Sequence, residues 1–234
     1  MTTAFVAGAT GLTGRNVTQA LRKRGIATYA HVRPDSHRLA EWKERFSTWN
    51  AEVDTTPWDE AELCDTLSRV RPELVFALLG TTRARGRQAE LETGRPDTYE
   101  SVDYGLTALL LRATRQACDS ARFMYLSAIG VGEAAGNGYY AARWKVEQEL
   151  RQSGLRYTVV RPSFIIGERD DPRLGERLGS QVTDAALGFL GALGAKRLSK
   201  RYRSITGPEL AEALVRLALD PSAENRIILS EELH

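Results

Sequence analysis

The sequence predicts an α/β fold, a doubly wound parallel sheet in three layers, α/β/α, and three observations predict it. Strand-type and helix-type segments alternate along nearly all of the 234 residues, the order that gives a parallel sheet covered by helices with right-handed crossovers. Leu74–Leu79 is a continuous apolar run, the pattern of a strand buried on both faces. Ala4–Ala7 is a second apolar run, and it leads straight into glycines spaced three apart at Gly8, Gly11 and Gly14. One domain, 1–234, is expected, with 165–204 as a small cover on its substrate side.

The elements follow in order. After the glycine turn comes an amphipathic helix carrying Val17, Ala20 and Leu21, then the strand Ala27–Val32 and a helix with Leu39, Trp42 and Phe46 on one face. Ala51–Val53 is a short strand, followed by a helix through Leu63, Leu67 and Val70. Past Leu74–Leu79, an arginine-rich loop, Thr81–Asp97, leads into a helix Tyr99–Cys118. The strand Phe123–Leu126, a helix ending near Ser153 and the strand Tyr157–Val160 continue the alternation. It breaks at Ile165 and resumes with a helix Pro208–Leu219 and a strand Arg226–Leu229.

The glycine turn carries the first functional signal. A dinucleotide pyrophosphate needs a sharp strand-to-helix turn, backbone close to the phosphates and a helix N-terminus aimed at them. Gly8 makes the turn, Gly11 admits the backbone and Gly14 lets helix and strand pack closely. Thr10, Leu12, Thr13 and Arg15 complete the expected cradle. The spacing departs by one residue from the usual G-x-G-x-x-G form.

Cofactor choice is expected at the end of the second strand. A carboxylate there holds a ribose 2′-hydroxyl, whereas a 2′-phosphate calls for arginine. The strand ends His31-Val32-Arg33-Pro34, with no acid before Asp35. Arg33 therefore points to NADPH, assisted by Arg15. By topology, Asp54 is either an adenine contact or a turn residue, and Gly80-Thr81 lies along the cofactor.

A second constellation stands further on. Ser127 closes the fifth strand, and Tyr139 and Arg143 lie one helical turn apart on the next helix. The placement resembles the Ser, Tyr and Lys proton-transfer set of short-chain dehydrogenases, in which Tyr donates a proton to the carbonyl oxygen, Ser polarises that oxygen and Lys lowers the Tyr pKa and holds the ribose. Lys145 does not share that face: at ~100° per residue it points about 140° from Tyr140 and about 240° from Tyr139. A purely structural role for the cations is the alternative, with Arg143–Glu147 and Lys145–Glu149 as i,i+4 pairs.

The chain resembles the atypical short-chain dehydrogenases of the Tat-interacting-protein family. The resemblance rests on Gly8–Arg15, Leu79-Gly80-Thr81-Thr82-Arg83, Val102-Asp103-Tyr104 and Leu126-Ser127-Ala128. It continues through Lys145-Val146-Glu147, Arg161-Pro162-Ser163, Gly167-Glu168-Arg169 and Leu174-Gly175-Glu176. It implies an extended Rossmann domain that binds NADPH. The family's Tyr and Lys fall on Tyr139 and Arg143, and its Ser on Ser127 or on the next position, Ala128. Arginine thus replaces the lysine.

Past the sixth strand, Pro162, Ser163 and Ile165 are placed beside the nicotinamide. Val182–Ala195 is small and apolar, the expected substrate cover, and Lys196–Arg203 is a basic run taken as a solvated face. A net charge of +2 makes no case for nucleic acid or an anionic membrane as partner. Cys64 and Cys118 lack metal or redox spacing, and no metal is expected. The chain is expected to be cytoplasmic, to take a small-molecule substrate and to be capable of forming a homodimer. Three functions follow: an NADPH-dependent reductase of a small carbonyl compound, a non-catalytic NADPH-binding sensor or assembly protein, and a sugar-nucleotide epimerase or dehydratase.

Overall fold

The computed structural model describes residues 2–81, 86–87, 89–91, 94, 96–134, 138–166 and 204–233. Its elements are β1 (Thr3–Ala7), α1 (Leu12–Lys23), β2 (Ala27–His31), α2 (Leu39–Thr48), β3 (Glu52–Asp54), α3 (Glu60–Val70) and β4 (Leu74–Ala77). A π-helix, Tyr99–Leu106, runs into α4 (Thr107–Ala117), followed by β5 (Arg122–Leu126), α5 (Gly138–Gln152) and β6 (Arg156–Arg161). The chain then forms β7 (Ile165–Ile166), β8 (Ile205–Thr206), α6 (Gly207–Leu219) and β9 (Arg226–Leu229). Seven strands make one parallel sheet in the order β3-β2-β1-β4-β5-β6-β9. The expected fold class is therefore the observed one.

The continuous apolar runs are explained by the two faces of this sheet. Val6 and Phe76 pack with α1, α2 and α6, through Val17, Leu21, Phe46 and Leu214. Phe5 and Val75 pack on the other face with Leu63, Leu67, Leu110 and Leu150. Side chains alternate across a strand, so a strand covered on both sides must be apolar at every position.

Three departures from expectation have local causes. β4 ends at Ala77, although the Leu78 amide still donates to the Ala7 carbonyl at 3.0 Å. The helix expected from Tyr99 begins as eight residues of π-helix, held by a Thr98–Ser101 capping box. Ile165–Ile166 pairs with Ile205–Thr206 as a small parallel ladder, which brings distant residues together.

Two glycines decide how closely α1 meets β1. Gly8 has φ +81°, and a Cβ there would lie 2.5 Å from the Leu78 carbonyl oxygen. A Cβ at Gly14 would lie 2.1 Å from the Gly8 carbonyl oxygen, against backbone that cannot give way. At Gly11 a Cβ would meet only the Gly8 oxygen, at 3.3 Å.

His31, the last residue of β2, is 3% exposed and lies between Phe5 and Trp58. Its Nε2 is 2.8 Å from the Thr56 carbonyl oxygen, to which a neutral imidazole donates. Burial lowers its pKa below the usual 6.5, and the Thr56 carbonyl and Asp54 oppose that only in part.

Two stability predictions follow from these contacts. Gly14→Ala should cost about 1–3 kcal/mol, the scale of overpacking, and Gly11→Ala less, as read by urea denaturation. For His31, the folded chain binds the proton less readily than the unfolded chain. Stability is therefore full above pH ~6.5 and falls as pH drops through that value. Thermal denaturation at descending pH should show this decline in the wild type and a flatter one in His31→Gln.

Candidate dinucleotide site

Strand order reverses between β1 and β4, where parallel α/β sheets open a crevice at their carboxyl ends. The turn Gly8–Arg15 stands at this point. The Gly11 amide donates to the Gly8 carbonyl at 3.0 Å, and α1 starts at Leu12 with no side-chain cap on Gly11 and no acid in its first turn. An uncapped helix N-terminus beside a glycine whose Cβ position is nearly empty fits a phosphate group. Thr10, Leu12 and Arg15 are partly exposed around it, and Thr13 is buried.

One end of the crevice is a cleft of about 440 Å³ lined by Arg33, Pro57, Trp58, Val102 and Leu106 among others. Arg33 is exposed, with its Nε 3.7 Å from an Asp35 carboxylate oxygen. Asp54 takes the turn alternative. Its carboxylate is buried and accepts the Thr56 hydroxyl at 2.8 Å and the Thr56 amide at 3.3 Å, contacts within its own loop. Sequence reasoning missed Trp58, whose ring stands edge-on to His31 at 4.7 Å. An aromatic four residues past the end of β3 was the available signal.

The other end is built on α5. Tyr139 is half-buried between Tyr99 and Tyr140, with ring centroids 5.4 and 5.1 Å away. One turn on, the Arg143 guanidinium lies 4.6 Å from the Tyr139 ring centroid. Arg143 is 6% exposed and donates from Nη2 to Asp103 Oδ1 at 2.8 Å and from Nη1 to the Leu126 carbonyl at 2.6 Å. Its Nε has no hydrogen-bond partner among the described residues. Burial works against its charge, but Tyr139, Tyr125 and Asp103 outweigh that and raise its pKa. Burial also pushes the Asp103 carboxyl above its usual range, against Arg143 and the Thr81 amide.

These contacts correct the expected i,i+4 pairs. Arg143 pairs with Asp103 instead of Glu147, and Lys145 with Glu100 at 2.7 Å instead of Glu149. Glu147 is fully buried and takes Arg161 through both oxygens, at 3.0 and 2.6 Å. It also accepts the Ser127 hydroxyl at 2.6 Å. Ser127 was expected to polarise a carbonyl, yet in this structure its proton is directed at Glu147. Burial explains both outcomes, because a carboxylate or guanidinium removed from water requires a close partner wherever one exists in the fold.

Gly80 is exposed above Arg143, and the Thr81 amide donates to Asp103 Oδ2 at 2.9 Å. Pro162 is buried, with its carbonyl accepting the Ile129 amide at 3.0 Å, and Ser163 is buried beside it. Ile165 stands in β7. Thr82-Arg83, the Gly167-Glu168-Arg169 and Leu174-Gly175-Glu176 motifs, Val182–Ala195 and Lys196–Arg203 lie outside the described residues. Among the described residues, no helix is long and apolar enough to cross a membrane.

The chain is similar to known proteins in sequence and in fold. The chain is 25% identical over 191 residues to the mitochondrial protein fmp52 of Aspergillus niger, spanning 80% of this chain and 74% of that one. It is 29% identical over 185 residues to an uncharacterized chloroplastic protein of Arabidopsis thaliana, spanning 73% and 61%. The expected cytoplasmic location is corrected by these names: the curated relatives are mitochondrial or chloroplastic proteins. Among solved structures, UDP-glucose 4-epimerase of Thermotoga maritima shares the fold with a TM-score of 0.62 at 19% identity, covering 96% of this chain and 75% of that one. AtPrR2, solved with NADP+ and (+)pinoresinol, shares it with a TM-score of 0.65 at 14% identity, covering 99% and 73%. A family described as NAD(P)H-binding matches residues 8–187, glycine turn and Tyr139 helix included, and the chain belongs to that family.

Proposed function

We propose that the chain binds NADPH across the crevice and reduces a small carbonyl compound, with Tyr139 as the proton donor. The finer family reading, an atypical short-chain dehydrogenase like the Tat-interacting-protein group, goes with this proposal. The observation that carries it is Arg143, packed one turn below Tyr139 and fixed by Asp103 and the Leu126 carbonyl. A cation held there supports the phenol electrostatically, and the helix presents both groups on one face.

Gly8–Arg15 would hold the pyrophosphate, Arg33 the 2′-phosphate, and Gly80, Thr81, Pro162 and Ser163 the path toward Tyr139. NADPH, when bound, would supply the hydride for the carbonyl carbon and be left as NADP+. As the C=O π bond opens onto oxygen, the Tyr139 hydroxyl gives its proton to that oxygen, and an alcohol results. Arg143 keeps its own proton throughout and acts as a fixed charge.

Arg33 supports NADPH over NADH because it stands exposed in the cleft at the end of β2, where no strand-end carboxylate precedes it. A second reading, a non-catalytic NADPH-binding sensor, is favoured by Ser127 being engaged with Glu147. The epimerase or dehydratase alternative draws support from the shared fold of the Thermotoga maritima UDP-glucose 4-epimerase.

Calorimetry should show tighter binding of NADPH than of NADH, with Arg33→Ala narrowing the gap by ~1.5–3 kcal/mol, the worth of a hydrogen bond to a charged group. Equal affinities in the wild type would remove the NADPH assignment. In a steady-state assay on aldehydes and ketones, Tyr139→Phe should abolish turnover while holding NADPH affinity near wild type. NADPH binding without turnover on any carbonyl would favour the sensor. Turnover of a sugar nucleotide with no net oxidation would favour the epimerase.

A further inference from the structure

One short element touches three parts of the crevice. Val102 and Leu106 of the π-helix line the Arg33 cleft. Asp103, between them, turns inward and is 1% exposed. Its two carboxylate oxygens serve different elements: Oδ2 accepts the Thr81 amide at 2.9 Å, and Oδ1 accepts Arg143 Nη2 at 2.8 Å. Thr81 follows β4 on the path assigned to the cofactor, and Arg143 lies against the Tyr139 ring. A Cβ on Gly80 would stand 3.2 Å from Arg143 Nη2 and 3.5 Å from Asp103 Oδ1, so loop, carboxylate and guanidinium are packed at contact. A buried ion pair is weak support for stability, since well-packed apolar groups serve as well. What this pair adds is a fixed position for both of its partners.

We propose that Asp103 is the positioning residue for the nicotinamide half of the site. It holds the Gly80–Thr81 loop and Arg143 in one geometry, while the adenosine half depends on Arg33 and the Trp58 cleft. The inference rests on the NADPH reading above. It also gives the arginine in place of lysine a physical setting, because the guanidinium's charge is matched within the protein by Asp103.

The test compares two ligands on the whole chain by calorimetry: NADPH, and 2′,5′-ADP, which carries the 2′-phosphate and adenosine but no nicotinamide. Asp103→Asn keeps an acceptor for the Thr81 amide and removes the charge facing Arg143. It should weaken NADPH roughly tenfold, the scale of one lost charge-assisted hydrogen bond, and leave 2′,5′-ADP within about twofold of the wild type. Should the unpaired guanidinium unfold that variant, Asp103→Asn with Arg143→Gln removes both charges, and the same selective loss is expected. Equal loss of both ligands, or loss of neither, overturns the inference. A wild type that binds neither ligand overturns the NADPH reading and this inference with it, whereas failure confined to the variants leaves the NADPH reading standing.

Discussion

The crossing of α1 over the end of β1 sets where the rest of the site stands. At Gly14 the helix backbone comes so near the strand end that a single methyl group would penetrate the Gly8 carbonyl. That approach projects the helix N-terminus past the sheet edge at the point of reversal, where a phosphate can meet its amides. A second close contact extends the stack outward. A Cβ on Gly207, at the start of α6, would lie 3.1 Å from Asn16 Nδ2 and 3.2 Å from Leu12 Cδ1. The first turn of α1 is thus held between β1 on one side and α6 on the other.

Around that frame, three arginines, Arg122 and Arg143 buried and Arg161 partly so, tie chain segments together. Arg143 ties α5 to the π-helix and to the end of β5. Arg161 and Glu147 tie the end of β6 to α5, with Ser127 as a third member. Arg122, at the amino-terminal end of β5, donates to Thr158 on β6 and to the Ala218 and Asp220 carbonyls at the C-terminus of α6. Those carbonyls are the orphans that every helix end leaves, and a cation there also complements the helix dipole. Removing one member of a buried ion pair costs ~3–5 kcal/mol because it leaves the other charge unpaired, so the Arg143 and Arg161 ties fix geometry more than they add net stability.

What was legible in the sequence was local. The glycine turn, the doubly buried strands and the amphipathic helices depend on residues close together in the chain, and apolar alternation reports them directly. Arg33, Tyr139 and Arg143 were legible because topology puts strand ends and helix starts at the crevice. Asp103 was quoted only as part of a motif, and its pairing with Arg143 across forty positions leaves no periodic trace. For the same reason the i,i+4 pairs were wrong: buried Arg143 takes Asp103 and exposed Lys145 takes Glu100, partners distant in the chain. The Glu147–Arg161 pair, fourteen positions apart, was invisible on these grounds. The onset of the π-helix was equally hidden, since an apolar face over Tyr99–Leu106 suits either helix type.

The β7–β8 ladder has a consequence for how such a protein can diversify. Ile165 and Ile205 are partners in register, and the Ile205 amide also bonds the Phe164 carbonyl. Whatever chain runs between them leaves and re-enters the domain at the same place. The entropy of closing such an excursion grows only logarithmically, ~0.6 kcal/mol for each doubling of its length. With the stems Ile165 and Ile205 paired in register, a change of length between them carries only that small closure cost. The stems act as a socket, and a new chemical preference can be plugged in without rebuilding the scaffold beneath it.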